Sequence, residues 1–241
     1  MRIPRIFTEQ PLAENLKIKL EEKPSQHLSK VLRLQAGAEL TLFNGKGGQF
    51  SAVIDVIEKK HTIAIINKFQ DINRESPLHI HLGIAVSKGD RMDFIMQKAT
   101  ELGVSAISPV FSSRSEVKLK ADRADKKLQH WKQITISACE QSGRNIPPVI
   151  HPIQKLDEWL NDSKATMKFV LHHRTDQSLN PAAAINDVDL LIGPEGGLSE
   201  TEINTALDTG FVPLALGPRV LRTETAPLAA ITLLQYLWGD I

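Results

Sequence analysis

The chain has 241 residues, of which 41% are hydrophobic, with 29 Lys and Arg against 28 Asp and Glu. This composition is ordinary for a globular protein of one large or two modest domains. No apolar run approaches the ~20 residues that span a bilayer, and MRIPRIFTEQ at the start lacks the apolar core of a secretion signal. A single cysteine, Cys139, excludes an internal disulfide, so we expect a cytoplasmic protein.

The charges are unevenly distributed along the chain. Residues 1–150 contain 23 Lys and Arg and 16 Asp and Glu, whereas residues 151–241 contain 6 and 12. A basic first part and an acidic second part indicate that a polyanion binds to the first part. The alternative is a chance distribution over solvated faces, because the net charge is only +1.

The first 70 residues or so have the pattern of short strands. Three runs, ELTLF, FSAVIDVI and TIAIINKF, each suit a strand, and NGKGG between the first two predicts a hairpin. Between the strands, PSQHLSKVLRLQAG predicts one or two helical turns, from the spacing of Leu28, Val31, Leu32 and Leu34. Many short strands with little helix indicate a small β-barrel.

A polar segment, QDINRESP at 70–77, is the best candidate for a linker and predicts domains of 1–72 and 73–241. Beyond it, strand-like runs alternate with helix-like runs. The strand-like runs are LHIHLGIAVS, VSAISPVF, MKFVLHH, VDLLIG and FVPLALG. The helix-like runs are DRMDFIMQKATELG, DRADKKLQHWKQITISACEQSG, SETEINTALDTG and ETAPLAAITLLQYLWGD. Asp122 is a candidate N-cap, and Ser199 with Glu202 has the spacing of a capping box. The alternation predicts an α/β fold with a mostly parallel sheet.

Two Gly-Pro turns, in LLIGPEGGLS and LALGPRVLR, each follow a predicted strand. Ligands of open α/β sheets lie beyond the carboxyl ends of strands. Phosphate does not fit the first turn, which lacks the Lys-Ser/Thr of a P-loop and contains Glu195. A nucleoside without phosphate fits better, because such turns expose backbone amides and carbonyls. The alternative is that both turns are ordinary strand exits.

The sequences of these two turns resemble those of a known family. LLIGPEGGLSETEI followed by LALGPRVLRTETAPLAAI resembles the C-terminal signature of the SPOUT superfamily of RNA methyltransferases. Five further segments resemble the RsmE family, which methylates uridine N3 in 16S ribosomal RNA of the small subunit. They are KGDRMDFIMQKATELGV, ACEQSGRNIPPVI and the N-terminal RIPRIF, HLSKVLRLQAG and LTLFNGKGG. The resemblance implies a PUA-like β-barrel that binds RNA, followed by an α/β domain with a deep trefoil knot, in a homodimer.

The resemblance also implies the cofactor and its site. S-adenosyl-L-methionine, converted to S-adenosyl-L-homocysteine, is expected among three segments, with backbone groups of Leu216 and Leu221 at its adenine. The implied cofactor-binding residues are Leu171, His172, Ile192, Gly193, Glu195, Gly196, Gly197, Leu216, Gly217, Leu221, Arg222 and Thr223. Two alternatives stay open: His172 is a structural strand-end residue, or Glu195 caps the helix that starts near Ser199.

Uracil N3 must lose a proton before it can accept a methyl group, so the enzyme must remove that proton or stabilise the charge that develops on O2 and O4. Arg222 is the candidate for neutralising the uracilate, and Glu224 for accepting the proton or orienting Arg222. The structural alternative pairs Arg222 with Glu224 or with a helix end.

RNA contacts are expected from polar and basic side chains in the motifs of the first 150 residues: Arg2, Arg5, His27, Lys30, Arg33, Lys88, Arg91, Arg114, Lys118, Gln141 and Arg144. For each residue, a solvated surface charge is the alternative. The expected partner is 16S ribosomal RNA, naked or in the small subunit, with no DNA and no membrane.

Two histidine pairs are candidate metal ligands. His79 and His81 share one side of a strand, and His172 adjoins His173, but neither pair has the Cys or carboxylate neighbours of a metal site, so no metal is expected. Two other functions compete with methyl transfer: an RNA-binding module whose α/β part is an inactive dimerisation domain, and a nucleotide-binding hydrolase.

Overall fold

The structure, a computed structural model, describes residues 3–58, 60–115, 121–172 and 185–241, with the backbone alone at 121 and 122. Two compact units divide the chain: Met1–Glu75 with Cys139–Pro147, and Ser76–Ala138 with Pro148–Ile241. The predicted domains, 1–72 and 73–241, remain a prediction. The compact units differ from them chiefly in that Cys139–Pro147 belongs to the first unit.

The first unit contains a five-stranded sheet whose strands are β1 (Arg5–Phe7), β2 (Lys17–Lys19), β3 (Glu39–Phe43), β4 (Gln49–Ile57) and β5 (Thr62–Gln70). Their order is β1-β3-β4-β5-β2, parallel between β1 and β3 and antiparallel elsewhere. The predicted hairpin is confirmed between β3 and β4, where Gly45 and Gly47 have φ of 78° and 88°. Leu40, Leu42 and Ile54 belong to the core of this unit.

The helical segment of the first unit differs from its prediction. Helix α1 (Glu22–Gln26) continues into one π-helical turn, His27–Val31. Leu28 is buried and Leu34 packs against the core, but Val31 and Leu32 are 66% and 38% exposed, so the predicted apolar face is wrong at these two residues. The Leu32 amide donates to the His27 carbonyl oxygen at 3.0 Å. This wider turn rotates the following side chains away from the 3.6-residue period on which the prediction relied.

The second unit contains a seven-stranded sheet of order β12-β10-β11-β6-β7-β8, with β9 also paired to β7. The strands are β6 (His79–Ala85), β7 (Ala106–Phe111), β8 (Val149–Ile150), β9 (Gln154–Lys155), β10 (Met167–Leu171), β11 (Asp187–Ile192) and β12 (Val212–Leu214). The helices are α2 (Arg91–Glu101), α3 (Ala121–Ser142), α4 (Leu156–Asp162), α5 (Glu200–Asp208) and α6 (Thr225–Trp238). Every described pairing in this sheet is parallel, which confirms the predicted α/β fold.

Helices cover both faces of the seven-stranded sheet. Since successive strand residues point to opposite faces, Leu82 of β6 packs in one core with Ile95 of α2 and Trp131 of α3. Ala85 of the same strand packs on the other face, with Trp159 of α4. This two-sided burial explains the nearly continuous apolar runs in the sequence of the strands.

Among the helices in the described part of the second unit, α2, α3, α5 and α6 were predicted and α4 was missed. The predicted capping box of α5 is confirmed, since the Ser199 hydroxyl accepts from the Glu202 amide at 3.2 Å and the Glu202 carboxylate accepts from the Ser199 amide at 2.8 Å. The cap predicted at Asp122 falls on a side chain outside the described atoms, and the trefoil knot stays a prediction. None of the helices in the described ranges is long and apolar enough to cross a bilayer.

Candidate functional site

Three strand ends meet at one edge of the parallel sheet. Strand β10 lies between β11 and β12, and all three run in the same direction. The two Gly-Pro turns that follow β11 and β12 therefore flank the end of β10, where Leu171 and His172 lie. The His172 amide donates to the Leu214 carbonyl oxygen at 2.9 Å and ties the ends of β10 and β12 together. This is the carboxyl edge, where such sheets bind ligands.

A pocket of about 130 Å³ opens at these strand ends. Its lining includes five of the predicted cofactor residues: Leu171, His172, Leu216, Gly217 and Leu221. Small-molecule clefts typically measure about 300–1,000 Å³, so this pocket accommodates a ring rather than a whole nucleoside. Four further lining residues were not predicted: Leu214, Arg219, Val220 and Ala226. All four lie within or beside the motif LALGPRVLRTET, which was the available signal.

The first Gly-Pro turn is held by close packing. A Cβ at Gly193 would lie 3.0 Å from both Cγ and the backbone nitrogen of Leu198, so any larger residue there would require Leu198 to shift. Gly197 has φ of 67°, which favours glycine. Ile192, at the end of β11, is buried. Of the described residues, neither Ile192 nor the predicted members of this turn (Gly193, Glu195, Gly196 and Gly197) line the pocket.

Polar contacts fasten the first turn to the end of β7. The Arg114 guanidinium donates to the carbonyl oxygens of Gly196 and Leu198 at 2.9 and 3.3 Å. The Glu202 carboxylate accepts from the amide and hydroxyl of Ser113 at 2.6 and 3.0 Å. Burial acts to raise the pKa of Glu202, but the hydrogen bonds from Ser113 and Ser199 outweigh it and hold that pKa below its usual value.

Arg91, at the start of α2, connects both turns. Its Nη1 lies 2.5 Å from Glu195 Oε1, and its Nε lies 3.7 Å from Glu224 Oε2. The alternatives for these acids are therefore not observed: Ser199 rather than Glu195 caps α5, and Glu224 pairs with Arg91 rather than with Arg222.

The segment that leads into α6 exposes Arg222. Within the described residues its side chain has no hydrogen-bond or ion-pair partner, whereas its carbonyl oxygen accepts from the amides of Thr225 and Ala226, both at 2.9 Å. Thr223, the next residue, is buried. The backbone around Arg222 is thus fixed by the helix start, while its guanidinium faces solvent beside the pocket.

The residues predicted to contact RNA fall into two groups with different exposure. In the second unit, Lys88, Arg91 and Arg114 are exposed and follow the carboxyl ends of β6 and β7. In the first unit, the exposed members are His27, Lys30, Arg33 and Gln141. Arg2 and Lys118 lie outside the described residues.

Arg5 and Arg144 have partners inside the first unit. The Arg144 side chain is only 6% exposed, and its Nη2 lies 2.5 Å from Glu75 Oε2. Arg5 donates to Asn145 Oδ1 at 2.7 Å and to the Arg144 carbonyl oxygen at 3.1 Å. These contacts join Cys139–Pro147 to the rest of the first unit, and they give both arginines a structural role that the charge pattern alone did not reveal.

No three His, Cys, Asp or Glu side chains come together as metal ligands within residues 3–58, 60–115, 121–172 and 185–241. His79 and His81, considered as a pair in the sequence, both line a different cleft near the amino ends of the strands. His173 lies outside the described residues.

Two family models match the chain. Residues 74–235 match an RNA methyltransferase domain, and residues 20–67 match an RNA methyltransferase PUA domain. The second match confirms the predicted PUA-like domain, and the two matches follow each other in the predicted order.

Relatives are similar over the full length of the chain. Ribosomal RNA small subunit methyltransferase E of Buchnera aphidicola is 42% identical over 100% of this chain and 98% of its own length. A methyltransferase of Legionella pneumophila, solved with its cofactor SAM, is 41% identical with a TM-score of 0.96. Ribosomal RNA small subunit methyltransferase E of Neisseria gonorrhoeae, bound to S-adenosyl methionine, is 41% identical with a TM-score of 0.93. Both alignments cover 100% of each chain.

The pKa of Glu202 predicts how the first turn responds to acid. Its carboxylate stabilises the fold above the unfolded pKa of about 4.3, and that contribution is lost as the pH falls through the lower folded pKa. We expect Glu202→Gln to lower stability by about 1 kcal/mol at pH 7 and the difference from the unmodified protein to shrink below about pH 4. Thermal melting from pH 7 to pH 3 measures this, with Glu200→Gln at an exposed site as control. A difference that does not change with pH would contradict the assignment.

Proposed function

The chain belongs to the ribosomal RNA small subunit methyltransferase E family, and we propose that it transfers a methyl group from S-adenosylmethionine to N3 of one uridine in 16S ribosomal RNA. The observation that carries the proposal is the pocket at the joined ends of β10 and β12, which contains five of the residues expected around the cofactor. It coincides with full-length similarity to two methyltransferases that were crystallised with this cofactor.

The pocket fits one part of the cofactor. Leucines 171, 214, 216 and 221 provide apolar walls, and about 130 Å³ suits the adenine ring. Backbone groups of Leu216 and Leu221 hold that ring, and the turn at Gly193–Gly197 supports the remainder of the molecule. When bound, S-adenosylmethionine supplies an activated methyl group on a sulfonium and is released as S-adenosylhomocysteine. None of these steps requires a metal.

Arg222 and Glu224 act on the uracil. As N3 loses its proton, negative charge spreads over O2 and O4, and the exposed Arg222 guanidinium neutralises it. Glu224 is 25% exposed at its side chain and pairs with Arg91, which supports a role in accepting the N3 proton. To orient Arg222 instead, Glu224 would have to exchange this partner for Arg222.

The substrate binds through exposed basic groups. Lys88, Arg91 and Arg114 surround the same sheet edge as the pocket, and His27, Lys30 and Arg33 present a basic surface on the PUA domain. Contacts of these residues with phosphates make RNA affinity fall steeply with salt. The chain acts as a homodimer in the cytoplasm. Val220 and Tyr236, at 86% and 72% exposed, are apolar side chains of the second unit that an interface between subunits would cover.

Mass spectrometry of ribosomal RNA tests the proposal directly. Cells that lack the gene should lose one 3-methyluridine from 16S ribosomal RNA, and the gene carried on a plasmid should restore it. Titration calorimetry with S-adenosylmethionine and with ATP separates methyl transfer from the two competing functions, because only the former ligand should bind. Unchanged ribosomal RNA, or binding of ATP alone, would overturn the assignment.

Arg222→Ala should impair chemistry far more than cofactor binding. Removing one group that stabilises developing negative charge typically costs about 100- to 1,000-fold in rate. We therefore expect a loss of that size in single-turnover methyl transfer, with the Kd for S-adenosylmethionine nearly unchanged. Arg123→Ala, on the exposed part of α3, is the control and should leave both unchanged. Equal losses in rate and in cofactor affinity would show that Arg222 supports the pocket instead.

Arg91→Gln distinguishes two roles for Arg91. Because it bridges Glu195 and Glu224, we expect its loss to loosen both turns and to raise the Kd for S-adenosylmethionine by about threefold to tenfold in the absence of RNA, as exposed ion pairs contribute about 1 kcal/mol or less. Glu195→Gln should cause part of the same loss, and the double variant should show non-additive effects. If cofactor affinity is unchanged and only RNA binding weakens, Arg91 contacts RNA and does not organise the pocket.

A further inference from the structure

A second cleft lies on the opposite part of the seven-stranded sheet, near the amino ends of its strands. It has a volume of about 530 Å³, which is in the range of small-molecule sites. The cleft is lined by residues of strands β6, β7 and β11, of helix α4 and of the segment after α4. Asp189 lies at the base of this cleft. Along β11 it is roughly 10 Å from Ile192, which lies at the carboxyl end of the strand. None of the residues proposed for methyl transfer lines this cleft.

Three side chains from three adjacent strands form a hydrogen-bonded chain in this cleft. Asp189 of β11 and His81 of β6 are direct register partners, and Ser108 of β7 lies opposite Gly83, two residues beyond His81. Because strand residues two apart share a face, all three point to the side covered by α4. His81 Nδ1 lies 3.2 Å from Asp189 Oδ1, and His81 Nε2 lies 2.8 Å from Ser108 Oγ.

The neighbours of His81 determine its tautomer. Trp159 Nε1 can only donate, and it lies 3.4 Å from His81 Nε2. Nε2 must therefore be the accepting nitrogen, and Nδ1 carries the proton that is donated to Asp189. In this tautomer the Ser108 hydroxyl, at 2.8 Å, is the nearer of the two donors to the single lone pair of Nε2. The arrangement of serine, neutral imidazole and carboxylate is that of an activated serine nucleophile.

Asp189 is kept ionised and oriented. The Ser163 hydroxyl donates to Asp189 Oδ2 at 2.5 Å. Burial acts to raise the pKa of Asp189, yet hydrogen bonds from His81, Ser163 and the Ala165 backbone hold it below its usual value. The carboxylate can thus stabilise an imidazolium on His81.

The neighbouring imidazole does not oppose that charge. The His151 ring centroid lies 5.2 Å from that of His81. Burial and the proximity of His81 lower the pKa of His151, so His151 is neutral at physiological pH.

We propose that this cleft is a second reactive site, in which Ser108 is a nucleophile toward small carboxylic esters, His81 is its general base and Asp189 orients His81. Ser108 Oγ bonds to the ester carbonyl carbon while its proton passes to His81 Nε2. The ester C–O bond then breaks, and the leaving alkoxide takes the proton from His81. Water repeats the sequence on the acyl-serine, so ester and water give acid and alcohol. The cleft is lined by two further carboxylates, Asp162 and Asp187, and by one ammonium group, that of Lys164. This excess of negative charge favours neutral or cationic esters over anionic ones.

The cleft contains its own control residues. Ser105 also lines it, but its hydroxyl donates to the Ile80 carbonyl oxygen at 3.0 Å and has no histidine partner there. Ser163 donates to a carboxylate, which does not remove its proton. Reactivity that depends on the chain from Asp189 to Ser108 should therefore be confined to Ser108.

Treatment of the full-length protein with diisopropyl fluorophosphate, followed by peptide mapping, tests the proposal. Ser108 lies at the cleft floor with 1% exposure, so a small reagent is required. We expect one covalent adduct, on Ser108, at an unchanged rate in Ser105→Ala. Asp189→Asn should slow its formation by roughly a thousandfold or more, and His81→Gln should abolish it. Hydrolysis of p-nitrophenyl acetate should follow the same order.

Three results would overturn the proposal: no adduct in the unmodified protein, an adduct on Ser105 or Ser163, or an undiminished rate in His81→Gln. Each would show that the three side chains form a structural network only. The first two require no variant, so they hold even if His81→Gln fails to fold, which thermal melting would reveal. Labelling needs neither S-adenosylmethionine nor RNA, and methyl transfer by Ser108→Ala should equal that of the unmodified protein. The outcome is therefore independent of the proposed function.

Discussion

The order of three parallel strands is the constraint on which the candidate cofactor site depends. Strand β10 lies between β11 and β12 although it precedes both in sequence. Two turns that are separated by helix α5 in the chain therefore flank the end of a single strand. The hydrogen bond from His172 to Leu214 closes the group. If β12 paired at another edge, both Gly-Pro turns would still exist, but the second turn would not meet Leu171 and His172, and the pocket between them would not form.

The turns are held by buried groups more than by surface charges. Arg91 connects both turns, but its side chain is 46% exposed, and pairs of that kind contribute little because water and salt screen them. Glu202 is 9% exposed and accepts from two segments at once. Gly193 leaves room for Leu198, which a Cβ at that position would crowd. Packing and a buried carboxylate thus fix where the first turn lies, while Arg91 adjusts a turn that is already formed. A turn fixed in this way loses less entropy when a ligand binds.

Local sequence patterns correctly predicted the features that depend on interactions between residues close together in the sequence. Strand β3, the long helices and the capping box at Ser199 follow from alternation, helical period and cap chemistry, and the turns around the pocket were found from their glycines. Val31 was misjudged because a single i→i+5 bond changes the period, and α4 was missed because seven residues give too little periodicity. The chain of Asp189, His81 and Ser108 had no sequence signal, since its members lie on three strands whose order only the folded sheet establishes.

Charge patterning shows the same limit in another form. Arg144 and Arg33 contribute equally to the basic excess of the first 150 residues, yet Arg144 is buried against Glu75 and Arg33 is exposed. Counting charges cannot separate them, because the cost of burying a guanidinium is offset only by a partner 69 residues away in sequence. The positive charge that is exposed and able to bind a polyanion is consequently smaller than the composition suggests. Within the described residues predicted to contact RNA, it is concentrated on Lys30 and Arg33 of the first unit and on the exposed cations after β6 and β7 of the second.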